Sequence, residues 1–132
     1  MKVKEPIGNW RKFEVAGWVF IIAENPEQGL AGSSQEELGD SVMIFTKVIT
    51  NLPFDNEDHG YGPVTFDIDI AFLDEEGKVL QISCMEAHTG KALPSHGSKY
   101  AMETLSGWFK DKNIGVGEIF PNWNDILSQM PA

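Results

Sequence analysis

Phe66-Asp67-Ile68-Asp69-Ile70-Ala71-Phe72-Leu73-Asp74-Glu75-Glu76-Gly77-Lys78-Val79-Leu80-Gln81-Ile82 is the stretch on which the reading of this chain turns. Two apolar, β-branched runs flank Asp74-Glu75-Glu76-Gly77, a turn with glycine where the backbone needs positive φ. The pattern predicts a β-hairpin over about Thr65 to Cys84. Asp67 and Asp69 fall inside the expected first strand, two apart and therefore on one face. Aspartate is depleted in strands and costly to bury without partners, so the pair marks either an exposed face or a fixed role.

Working outward, Phe13-Glu14-Val15, Trp18 to Ala23 and Val42 to Val48 read as further strands, with Gly17 as a bend. Asn25-Pro26-Glu27-Gln28 and Ser33 to Leu38 each start a short helical turn. Asn51 to Pro63 and Glu86 to Ser98 are long polar loops, a length that in a compact domain favours function. Lys99 to Leu105 alternates like a strand but has helix-forming residues. Gly107 to Asn113 predicts a short helix, Ile114 to Ile119 an extended piece. Pro121 to Met130 predicts an amphipathic helix with Trp123, Ile126, Leu127 and Met130 on one face. About five to eight short strands, two to four short helices and no βαβ alternation predict a mainly β fold. An antiparallel sandwich, jelly-roll-like, or a partly open barrel is expected.

The 132 residues fit a single domain, with a core over about residues 13–119 and a C-terminal helix over about 121–130. Net charge is −10, with 20 acidic and 10 basic residues. Such a field repels phosphate backbones and anionic lipid, so neither nucleic acid nor a membrane surface is an expected partner. The lone Cys84 excludes an internal disulfide, and its apolar neighbours Val79, Leu80 and Ile82 suggest a buried or half-buried thiol. No apolar run follows Lys2 and Lys4, and none is long enough to span a bilayer. A cytoplasmic protein is expected, unless a leader has been removed, and a monomer or weak dimer.

Paired carboxylates such as Asp67 and Asp69 can hold a hard cation or do acid–base work. Asp55-Asn56-Glu57-Asp58-His59-Gly60 has some calcium-loop character, but Phe66 stands where the twelfth-position carboxylate belongs. His59, His88 and His96 have no zinc-ligand spacing. Ser95, His96 and Lys99 form no known nucleophile motif, and Gly115-Val116-Gly117 is no nucleotide fingerprint. No cofactor or metal is expected. Trp10, Trp18, Trp108 and Trp123 read first as core anchors and second as a sugar-stacking platform.

Four segments in order resemble one family. Gln28-Gly29-Leu30-Ala31-Gly32-Ser33 is similar to a Gly-Leu-Met-x-Arg segment, and Val42-Met43-Ile44-Phe45 to a Gly-Met-Leu-Phe strand. Asp69 to Asp74 with Gly77-Lys78-Val79 is similar to a Leu-Asp-Ile-x-Phe-Ile-Asp-x-x-Gly-x-Val hairpin. Tyr100-Ala101-Met102-Glu103 with Gly107 is similar to Tyr-Val-Leu-Glu-x-x-x-Gly. Together they resemble the bacterial and archaeal family called domain of unknown function 192, over about residues 13–119. The resemblance implies a mainly β domain and no established activity, and it singles out Asp69 rather than Asp67. Gly60-Tyr61-Gly62-Pro63-Val64 replaces the family's Trp-Met-Lys-Asn-Thr run, and Ser33 and Ser34 stand near its arginine. Members often carry an export signal or lipid anchor; none is visible here.

The reading is a non-catalytic binding or accessory module for a small polar ligand or a protein, its catalytic residues unknown. Its site is expected on the Asp69 face between the loops Asp55–Pro63 and Glu86–Gly97, with Asp69, Asp67, Glu103, Tyr61 and His96 as ligand-binding residues. The alternative is a carboxylate- or metal-dependent hydrolase using Asp67, Asp69 and Glu103. Asp69 is expected to be at least half-buried and hydrogen-bonded to a loop.

Overall fold

A computed structural model describes residues 2–131; Met1 and Ala132, the outermost residues of the N-terminal stretch and the C-terminal tail, lie outside the described residues. Among the described residues, eight strands and three α-helices follow one another: β1 (Lys12–Val15), β2 (Trp18–Ile22), α1 (Gln35–Leu38), β3 (Val42–Phe45), β4 (Phe54–Asp55), β5 (Ile68–Leu73), β6 (Val79–Met85), β7 (Lys91–Ala92), β8 (Tyr100–Leu105), α2 (Trp108–Asp111) and α3 (Trp123–Gln129). A 3₁₀ turn, Ile7–Asn9, precedes them.

Six strands form one sheet in the order β1-β2-β3-β8-β5-β6, and β4 pairs with β7 in a small second sheet. The expected hairpin is β5–β6. Its turn is held by Asp74, whose Oδ1 accepts from the N–H groups of Glu76 and Lys78, both at 2.9 Å. Gly77 takes φ +83°, and a Cβ there would strike the Trp123 ring. Only glycine satisfies both demands.

β8 resolves the ambiguity of residues 99–105. It is paired antiparallel with β3 on one side and β5 on the other, so ladder bonds and burial override the helix preference of Ala101, Met102 and Glu103. β2 and β3 run parallel. The 23–41 connection between them carries α1, whose N-terminus is closed by a capping box: Glu37 N–H donates to Ser34 Oγ and Ser34 N–H to Glu37 Oε1.

This corrects the expected sandwich or barrel. The β-rich α+β character holds, but the main sheet is single and mixed, and it does not close, since β1 and β6 remain its edges. Helices and loops, not a second full sheet, cover its faces. One face carries Ile21, Met43, Phe45, Ile68, Ile70, Phe72 and Ala101, packed under Ile7, Leu30, Leu38, Val64 and the β4–β7 ribbon. The other carries Phe20, Ile22, Ile44, Ala71, Leu73 and Met102, packed under Trp108, Phe109, Phe120, Trp123 and Ile126. Because both faces are buried, the central strands read as continuous apolar runs.

The four tryptophans belong to this packing: Trp10, Trp108 and Trp123 are buried, and Trp18 lies edge-on to Trp108 at 5.1 Å. Cys84 departs from expectation and is exposed. It lies on an edge strand, where apolar neighbours in sequence do not guarantee cover from above. Among the described residues, no helix is long and apolar enough to cross a membrane.

Candidate functional site

The register of β5 against β8 decides where the carboxylates go. Asp69 stands opposite Thr104, and Ile70 stands opposite Glu103. Paired residues share a face and neighbours alternate, so Asp69 and Glu103 project to opposite sides of the sheet. Asp67 precedes the strand, which begins at Ile68. It is exposed and accepts the Ala87 N–H at 2.8 Å. The three carboxylates proposed for a hydrolase therefore do not converge.

Asp69 has a structural task. It is mostly buried, and its Oδ2 accepts the N–H of Gly107 at 2.8 Å. Gly107 adopts φ +90° just before α2, so this bond fixes the turn that carries the chain from β8 into the helical layer. His96 is exposed on its loop.

Glu103 lies at the floor of a cleft of about 480 Å³ on the other face. The walls are Leu30, Phe45, Phe54 and Val64, with Ile49 and Leu52 near the mouth. Phe45 and Phe54 meet edge-to-face at 5.1 Å, which sets one aromatic wall. Lys47, Asp55, Glu57, His59 and Tyr61 add polar groups. Glu103 is 5% exposed, and burial alone pushes its carboxyl up to about 8, with no charged or hydrogen-bonding neighbour contributing. At neutral pH it is a protonated acid with a free O–H donor.

The loop over this cleft is internally tied. Buried Asn56 donates from Nδ2 to the carbonyls of Met85 and Glu86, at 3.1 and 2.9 Å, and anchors the loop base. Asp55 Oδ1 accepts from Glu57 N–H at 2.9 Å and lies 2.7 Å from His59 Nε2. Asp58 Oδ1 accepts from Gly60 and Gly62 N–H, and these bonds hold its carboxyl below the usual carboxylate range. Asp55 and Asp58 are thus engaged with the loop's own backbone. Among the described residues, no group of three or more His, Cys, Asp or Glu side chains is placed to hold a metal ion.

The family domain of unknown function 192 (DUF192), described as "Uncharacterized ACR", matches residues 19–120. The chain belongs to this family. No curated protein matches the DUF192 chain. A solved protein of unknown function from Novosphingobium aromaticivorans DSM 12444 is similar to it with TM-score 0.56 and 17% identity, over 89% of this chain and 96% of that one. A second, from Sinorhizobium meliloti 1021 and described as a "putative transcription regulator", gives TM-score 0.57 and 19% identity over 81% and 86%. At such identities the likeness is one of fold.

Within this DUF192 domain, three of the four segments that carry the family resemblance meet at the cleft. Gly29 and Leu30 come from the first, Phe45 from the second and Glu103 from the fourth. Of the expected site residues, Glu103 and Tyr61 line the cleft together; Asp69, Asp67 and His96 do not. The loop from Asp55 supplies lining residues, whereas Glu86–Gly97 supplies none. Leu30, Phe45, Phe54 and Val64 were not legible as site residues, because apolar residues in strands and turns look like ordinary core. The available signal was a glutamate at the centre of an apolar strand.

Proposed function

We propose that this protein is a non-catalytic binding module whose cleft takes a small, mostly apolar molecule, oriented by one polar contact to Glu103. The observation that carries the reading is the cleft itself: apolar walls of about small-ligand volume around one buried, unpartnered carboxyl. The Glu103 carboxyl reaches the cleft without a protein hydrogen-bond partner among the described residues, so a ligand there can supply one. The family match assigns no activity, and Asp55, a half-buried carboxylate of the cleft, is engaged with the Glu57 N–H and His59. A hydrolase built on Asp67, Asp69 and Glu103 lacks support for the same geometric reason: Asp69 and Glu103 point away from each other. The Sinorhizobium neighbour is described as a "putative transcription regulator", but in this chain a net charge of −10 opposes DNA contact.

An NMR fragment screen on isotopically labelled protein tests the reading. Hits should shift the amide resonances of Gly29, Phe45, Phe54 and Glu103 and leave those around Asp69 and Gly107 in place. A screen whose only perturbations fall on the Asp69 face, or that yields none at the cleft, overturns it.

A further inference from the structure

Resting on the small-ligand reading above, we propose that the cleft selects a primary amine with an apolar body, the ammonium pairing with Glu103 at the floor. The floor offers one kind of group. Glu103 is a sheet carboxyl at the cleft floor, 5% exposed, and among the described residues no donor satisfies it. In a low-dielectric setting the strongest complement to a carboxyl is a cation that also donates hydrogen bonds. The Phe45 and Phe54 rings of the wall add faces and edges against which an ammonium and its alkyl or aryl body can settle.

The other titratable groups facing the cleft are Glu27, Lys47, Asp55, Glu57, His59 and Tyr61. Glu27 pairs with Lys2, Glu57 with Lys91 at 3.0 Å and Asp55 with His59. These pairs leave exposed Lys47 as the cation available at the rim, and it sits on the surface rather than at depth. An anionic ligand would therefore carry its charge toward an acid with no deep donor to receive it. A neutral acceptor would gain one hydrogen bond. An ammonium gains an ion pair, and the chain's net charge of −10 draws it in.

The proton balance follows from the pairing. Below about pH 8 the free protein holds Glu103 as the acid and the free ligand is an ammonium. Forming the pair breaks the Glu103 O–H bond, leaves its electron pair on the carboxylate and releases one proton to solvent. Affinity for an amine should therefore rise about tenfold per pH unit up to about pH 8. A neutral ligand that accepts from the acid form releases no proton and shows a flat profile over that range.

Isothermal titration with phenethylamine, its alcohol analogue 2-phenylethanol and its acid analogue 3-phenylpropionate separates these cases. The expected result is tightest binding of the amine, close to one proton released per amine below pH 7 (read from two buffers of different ionisation enthalpy), and the tenfold pH slope. In Glu103→Gln the amine should weaken at least tenfold, while 2-phenylethanol changes little, which also shows that the variant is folded. Equal or tighter binding of the alcohol or the acid, or amine binding without proton release, overturns the amine assignment and leaves the small-ligand reading standing. Absence of binding by all three, with no cleft resonance moved by any fragment, overturns both.

Discussion

Glu103 occupies the centre of β8, between Met43 of β3 and Ile70 of β5, where neither neighbour can hydrogen-bond a carboxyl. Burial disfavours its charged form, so the folded-state value of about 8 lies above the ordinary 4.5. An acid raised in this way binds more protons folded than unfolded. Its contribution to stability is fully present below about pH 4.5 and is lost as pH rises toward 8. The limiting slope is about 1.4 kcal/mol per pH unit. Glu103→Gln keeps the shape and removes the ionisation. Its stability relative to wild type should therefore grow between about pH 5 and about pH 8, measured by urea unfolding at each pH. A difference that stays constant with pH would show that the wild-type carboxyl does not titrate in this window. Asp69, one residue out of register with Glu103, has the opposite circumstance: the Gly107 N–H satisfies it and gives it a task in the turn.

At the scale of elements, α3 shows how a helix of seven residues is held. So short a helix is marginal in water and depends on its docking. Trp123 is 5% exposed, lies edge-on to Tyr100 at 5.2 Å and rests over the backbone of Gly77 in the β5–β6 turn. Ile126 is fully buried and Met130 packs at the edge of the same cluster. Leu127 does not join them, contrary to the face expected from the sequence; it is 41% exposed. Positions 123, 126 and 130 already form the stripe that reaches the sheet, and position 127 falls on its flank. Trp123→Ala should cost about 3–5 kcal/mol. Leu127→Ala should stay within about 0.5 kcal/mol. Chemical denaturation of the two variants checks both, and a large loss in Leu127→Ala would mean that the helix docks on a broader face.

For the whole molecule, a charge of −10 and a single arginine, Arg11, oppose attraction to phosphate backbones. Duplex DNA should give no gel shift at physiological salt, because nonspecific affinity comes from Lys and Arg neutralising phosphates. A salt-sensitive micromolar complex would contradict this. The chain's own residues determined the β5–β6 hairpin, the Asp74–Gly77 turn, the short helical turn of α1 and the overall β-rich composition, because turn chemistry, helix starts and alternation are local. They also marked Glu103 and Tyr61 as candidates. Tertiary structure alone decided that β2 and β3 run parallel, that 99–105 is a central strand and that one mixed sheet, covered on both faces, replaces a sandwich. It alone decided where the candidate carboxylates stand. A one-residue step along a strand exchanges faces, so the pairing of Ile70 with Glu103 and of Asp69 with Thr104 separates two carboxylates that looked like partners. That register comes from long-range strand pairing, which no local pattern encodes.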